Sequence, residues 1–215
     1  VRTWDSTADF GSWNWDSSKP VAGDFNGDGK DDIAVLYNNG RQADGRYKTA
    51  LWTFTSTGDG FAAPVKNWDS LSDLGSSWNW DSSKPVAGDF NGDGKDDIAV
   101  LYNNGKQADG RYRTGLWTFT STGDDFTNPV RTWDSTADFG SWNWDSSKPV
   151  AGDFNGDGKD DISVLYDNGK QADGRYKTAL WTFTSAGNGL GKPVKKWDSF
   201  TDSGSSWTWS RINAV

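Results

Sequence analysis

Apolar and polar positions alternate along the chain in a pattern that recurs three times. In the first copy a short apolar stretch, "KPVAGDF" (Lys19 to Phe25), runs into a turn rich in Asp and Gly. A β-branched run follows, "DDIAVLYNNG" (Asp31 to Gly40), closed by an Asn-Gly turn signal. Next, "KTALWTFTS" (Lys48 to Ser56) alternates, with Leu51, Thr53 and Thr55 on one side and Trp52 and Phe54 on the other. A weaker fourth strand lies in "GFAAPVKNWDS" (Gly60 to Ser70), where Pro64 suits a sheet edge. The tryptophans of the "WDS" element, Trp4, Trp68, Trp133 and Trp197, stand 64, 65 and 64 residues apart. Four short strands at this period predict an all-β fold, a β-propeller of four-stranded blades. A β-solenoid is the alternative, but solenoid coils are usually shorter. The blades are expected at 19–70, 84–135 and 148–199 of one repeat domain, 1–215. An extra N-terminal strand segment covers 1–18 and a tail covers 200–215.

About three blades fall short of the four or so that a closed propeller needs. An open arc would leave blade faces rich in Trp and Phe in water. The expectation is a homo-oligomer that completes the ring, most simply a dimer of six blades.

Composition narrows the chemistry. The 30 acidic residues are all Asp, and the chain has no His, Cys or Met. Asp favours turns over helix interiors, which fits a helix-poor chain. Without His, Cys or Glu, the usual acids, bases and nucleophiles are missing, and a catalytic site would not be triplicated. The protein is therefore not expected to be an enzyme. A net charge of -8 argues against nucleic acid. No stretch is long and apolar enough for membrane insertion. Val1 is not an initiator Met and no signal peptide is visible, as expected of a mature or excised form.

The turn "GDFNGDGKDD" carries the strongest chemical signal. With Asp24 as position 1, Asn26 is 3, Asp28 is 5, Lys30 is 7 and Asp32 is 9. Side-chain oxygens at 1, 3, 5 and 9, with the backbone carbonyl of Lys30 at 7, make a donor set for Ca²⁺, which takes six to eight oxygens. Position 12 is Val35 rather than the Glu of an EF-hand, so the loop joins two strands. A bare Asp/Asn/Gly turn is the alternative, yet it has no need of three carboxylates that repel one another. The matching sets are Asp89, Asn91, Asp93, Lys95 and Asp97, and Asp153, Asn155, Asp157, Lys159 and Asp161. Three Ca²⁺ per chain are expected, which would bring the net charge from -8 to about -2.

At these residues, "VAGDFNGDGKDDIAVLY" resembles the signature of the FG-GAP/VCBS repeat family, with its D-x-[DN]-x-D-G-x-x-D loop. The resemblance implies a β-propeller with calcium between the first two strands of each blade. "LWTFTSTG", "WDS" and "SWNWD" are similar to versions found on secreted actinobacterial hydrolases and lectin-like proteins.

Two further elements are candidates for ligand contact. The first is the Trp pair with its following Asp: Trp13, Trp15 and Asp16; Trp78, Trp80 and Asp81; Trp142, Trp144 and Asp145. In extended chain the two indoles face one way, which suits stacking on a sugar beside a carboxylate. Core packing between blades is the other reading. A fourth pair, Trp207 and Trp209, is followed by Ser210. The second is the hairpin Asn38 to Thr49, presenting Gln42, Asp44, Arg46 and Tyr47, with counterparts Gln107, Asp109, Arg111 and Tyr112, and Gln171, Asp173, Arg175 and Tyr176. Its other reading is a solvated loop with an internal Asp–Arg pair. Together these features predict a secreted, calcium-stabilised, multivalent carbohydrate-binding module. The rival is a structural or protein-docking module of a larger secreted hydrolase.

Overall fold

The computed structural model describes residues 4–9, 12–187 and 189–208. Three four-stranded antiparallel sheets follow one another along the chain. The first holds β1 (Ser18–Gly23), β2 (Asp32–Arg41), β3 (Tyr47–Phe54) and β4 (Val65–Asp69), paired in chain order. The second holds β5 (Ser83–Gly88), β6 (Asp97–Lys106), β7 (Tyr112–Phe119) and β8 (Val130–Asp134). The third holds β9 (Ser147–Gly152), β10 (Asp161–Lys170), β11 (Tyr176–Phe183) and β12 (Val194–Asp198). Each sheet is the up-and-down meander of a propeller blade. Pro20 lies on β1, an edge strand, where its missing N–H leaves no gap in the ladder.

Helix is confined, among the described residues, to two four-residue pieces, α1 (Ser6–Asp9) and α2 (Ser135–Asp138), and three short 3-10 turns. The 3-10 turns begin at Trp15, Trp80 and Trp144. In each, the Asn just before (Asn14, Asn79 or Asn143) accepts a hydrogen bond from the backbone N–H two residues on. None of the described helices is long and apolar enough to cross a membrane.

The chain divides into two compact units, and the division runs through the second sheet. One unit is Val1–Asp89, Asp93–Val100 and Thr118–Val130. The other is Phe90–Gly92, Leu101–Trp117 and Arg131–Val215. Each has an aromatic core built in the same way. In the first, buried Trp68 meets Phe119 edge-on at 5.0 Å and Trp78 at 5.5 Å, and its indole N–H donates to Asn128 Oδ1. In the second, Trp133 meets Phe183 at 5.0 Å and Trp142 at 5.4 Å. Edge-on contacts of this kind add to the gain from burying the rings. β3 is buried on both faces, since Leu51, Thr53 and Phe54 are all covered, so its alternation does not mark a wet side.

Candidate functional site: the aspartate loops

Strand register presents the loop. β1 and β2 pair from Ser18 with Tyr37 to Gly23 with Asp32, so positions 1 and 9 both stand at the mouth of the turn. Asp24 folds the loop onto itself. Its Oδ1 accepts from the N–H groups of Gly27 and Asp28, and its Oδ2 from Gly29. Asn26 accepts from Asp28 N–H, and Asp28 from Lys30 N–H. Gly27 and Gly29 have φ of +75° and +84°, the left-handed region that a residue with a side chain rarely adopts. The third loop repeats these bonds around Asp153, Asn155 and Asp157. In the second, Asp89 accepts from Asp93 and Gly94.

Position 9 differs in kind. Asp32, Asp97 and Asp161 are each 1% exposed. Asp32 Oδ1 accepts from Ser56 N–H, while its buried Oδ2 has no hydrogen-bond partner among the described residues. Burial pushes the Asp32 carboxyl up, and the charges of Asp28 and Asp24 add to this. Asp97 is pushed up to about 7, first by burial and then by Asp93, Asp89 and Asp96. In the third loop the Asn155 amide turns to Asp161, 3.2 Å from Oδ2.

The lysine at position 7 does more than supply a carbonyl. Lys30 Nζ lies 2.9 Å from Asp28 Oδ2 and holds that carboxyl below its usual range. Lys95 and Lys159 stand 3.2 and 3.6 Å from Asp93 and Asp157.

The Trp pairs do not face one way. The 3-10 turn capped by Asn rotates the second indole away from the first. Trp78 and Trp142 are 3% exposed, and their N–H groups donate to Ser83 and Ser147 hydroxyls. Trp80 instead donates to the Leu36 carbonyl of the preceding sheet at 2.7 Å, and Trp144 to Leu101 at 2.7 Å. One face of Trp80 is covered by Lys19 Nζ, 4.0 Å from the ring centre. That ammonium also donates to the carbonyls of Trp80 and Ser83, and its burial lowers its pKa to about 8. Trp13 packs on Trp52, Phe54 and Tyr37. Trp15 is 77% exposed, and Asp16, Asp81 and Asp145 lie at the surface. Trp209 lies outside the described residues.

The hairpin is also shorter than its sequence suggested, because β2 runs to Arg41 and β3 begins at Tyr47. Arg46 pairs with Asp44 at 2.7 Å, and Arg111 and Arg175 pair likewise with Asp109 and Asp173. Gln42 turns inward to the carbonyls of Asn39 and Gly40. Tyr47, Tyr112 and Tyr176 are left at the surface.

The model of the FG-GAP-like repeat matches residues 24–100 and 89–164, each match running from one aspartate loop through the next. The chain belongs to the FG-GAP-like repeat family. A search of curated proteins finds no match. Among solved structures, a lectin of Agrocybe aegerita, described as recognising non-reducing terminal N-acetylglucosamine, shares 15% identity. The alignment covers 87% of this chain and 68% of the lectin, with a TM-score of 0.36. Likeness at that level carries neither a site nor a ligand across.

In this FG-GAP repeat chain the donor chemistry fits a hard cation. Carboxylates, an amide and a backbone carbonyl surround each turn, and among the described residues a buried carboxylate oxygen of Asp32 has no donor. Still, among the described residues no three Asp side chains converge as a metal-binding group. The carboxylates at positions 1 and 5 rest on backbone N–H groups.

One residue escaped the sequence reading. In the second repeat position 8, the first Asp of "KDD", reaches outside its own loop. Asp96 reaches back to the preceding repeat, where its Oδ2 accepts from Asp24 N–H at 2.8 Å. The repetition of "DD" could have flagged it, since position 9 needs only one carboxylate.

Proposed function

We propose that the chain is a non-catalytic, calcium-stabilised FG-GAP repeat module that binds carbohydrate outside the cell. The observation that carries this reading is a cleft of about 270 Å³ in the first unit, beside the first aspartate loop. Asn26, Asn67, Asp124 and Asp125 line it with hydrogen-bonding groups, and the exposed Val65 gives it apolar surface. Polar groups beside an apolar wall suit a sugar, whose hydroxyls need acceptors and whose C–H face needs an apolar partner. The Trp pairs offer less, because their indoles are already engaged. Trp15 and Asp16 are the exception.

Asp24, Asn26, Asp28, Asp32 and the Lys30 carbonyl would hold a Ca²⁺ in the first loop, with the matching residues doing so in the other two. The ion would neutralise the carboxylates and fix the cleft wall at Asn26 and Asp32. Extracellular calcium is in the range that weak protein sites need, roughly 10⁻³ M. The test is a glycan array followed by calorimetry, with and without calcium. Asp124→Ala should abolish sugar binding while the thermal melt and calcium content stay as in the wild type. Glycan binding that survives both Asp124→Ala and chelation would overturn the reading.

A second reading, a docking module, is favoured by the third repeat. There a cavity of about 410 Å³, lined by Val150, Phe154 and Leu180, is open to solvent. A second copy of the chain is the occupant we favour, because Trp15 on the first repeat is the exposed counterpart of Trp80. Light scattering should report more than the 23.6 kDa of one chain. Phe154→Asp should lower that mass.

A further inference from the structure

The first loop is held from outside by the repeat that follows it, and the contacts concentrate on the residues that would bind metal. Asp96 and Asp24 exchange two hydrogen bonds. Asp24 N–H donates to Asp96 Oδ2 at 2.8 Å, and Asp96 N–H donates to the Asp24 carbonyl at 2.9 Å. A Cβ on Gly23 would stand 2.5 Å from Asp96 Oδ2. Ser121 Oγ donates to the Phe25 carbonyl at 2.6 Å. The stem of Lys95 lies across Gly27, 3.1 Å from where its Cβ would be. In the second unit, the Lys159 stem lies 3.0 Å from the same point on Gly92.

Among the described residues, the third loop has the same sequence without the contacts made to Gly23 and Gly27. A Cβ on Gly156 would meet nothing within 4 Å, and the nearest atoms to one on Gly152 belong to Phe154. Phe154 is 53% exposed, whereas Phe25 and Phe90 are 2% and 3%.

We infer that the first loop's affinity for calcium is set by the next repeat, with Asp96 its positioning residue. This rests on the calcium reading above. The physical cause is preorganisation. A loop whose backbone is already fixed at positions 1 and 4 loses less conformational freedom when the ion enters. Linkage makes the effect reciprocal: an ion in the first loop must tighten the grip of Asp96 by the same free energy with which that grip tightens the ion.

The experiment is a calcium titration of the full chain, by calorimetry and by terbium luminescence sensitised by tryptophan. Asp96→Ala should weaken one site by about tenfold, a coupling in the usual range between linked sites, and leave the number of sites unchanged. Asp96→Asn, which keeps an acceptor oxygen, should restore most of the affinity. Gly23→Ala should act like Asp96→Ala, breaking the same contact from the other side. Asp31→Ala is the internal control. Asp31 is the same residue on the first repeat, and among the described residues no loop of an earlier repeat lies against it, so every site should be unchanged. Equal affinities in the wild type and Asp96→Ala would overturn the inference and leave calcium binding intact, as would an equal loss in Asp31→Ala. A wild type that binds no calcium would overturn both.

Discussion

Phe25 and Phe154 occupy the same place in the same ten-residue motif, yet one is buried and the other is 53% exposed. Phe25 meets Phe126 of the next repeat at 5.5 Å, while Phe154 folds back over Gly152. The difference shows that burial here belongs to the interface between repeats and not to the repeat alone. A repeat of this kind is complete only when its neighbour is present.

The widest gap should appear when these two rings are removed. Phe25→Ala should cost about 3–5 kcal/mol, the usual loss for a buried aromatic. Phe154→Ala should stay within about 0.5 kcal/mol, as for a surface change. Urea denaturation of the two variants measures both, and equal losses would break the comparison.

A second contrast is electrostatic and belongs to the outer strands. Asp134 is 12% exposed. Burial pushes its carboxyl up, but hydrogen bonds from Arg113 and Thr136 outweigh this and hold it at about 2. Its folded pKa lies below the unfolded value of about 3.9, so the stabilisation is full above about pH 4 and is lost as the pH falls toward 2. The amount is about 2 kcal/mol, and unfolding of Asp134→Asn should depend less on pH across that window.

The smallest effect concerns the cap on the outer-strand tryptophan. Trp68 N–H has Asn128 as its acceptor. Among the described residues Trp133 N–H is buried without one, and Lys192 stands where Asn128 stood. Lys192→Asn should supply the acceptor and stabilise the second unit by about 1 kcal/mol. The ion pair it removes, Lys192 with Asp138, involves a lysine that is 74% exposed and contributes little. A higher melting temperature checks this.

Much of the fold was legible because strand-forming runs and turn residues agree at every level. "DIAVLY" between an Asp-Gly turn and an Asn-Gly turn has few alternatives. The spacing of Asp24, Asn26, Asp28 and Asp32 was legible too, since it is a property of one segment. The turn at Trp15 was not, because "SWNWD" reads as extended until Asn14 is recognised as a cap. The division of labour between Asp31-type and Asp32-type residues was also hidden. Both are aspartates in one motif, and only the approach of another repeat separates them. The same holds for the indoles of Trp78 and Trp80, which sit two residues apart and serve different sheets.

The bond from Trp80 to the Leu36 carbonyl also has a kinetic side. Nothing in either residue identifies which repeat it belongs to, since Leu101 accepts from Trp144 in the same way. During folding, each such tryptophan faces several near-identical acceptors, and only the short connection to the right one favours it. Chains refolded at high concentration should therefore exchange whole repeats with one another, giving tangled but locally native species. Slow release from a ribosome, one repeat at a time, offers each tryptophan its proper neighbour first.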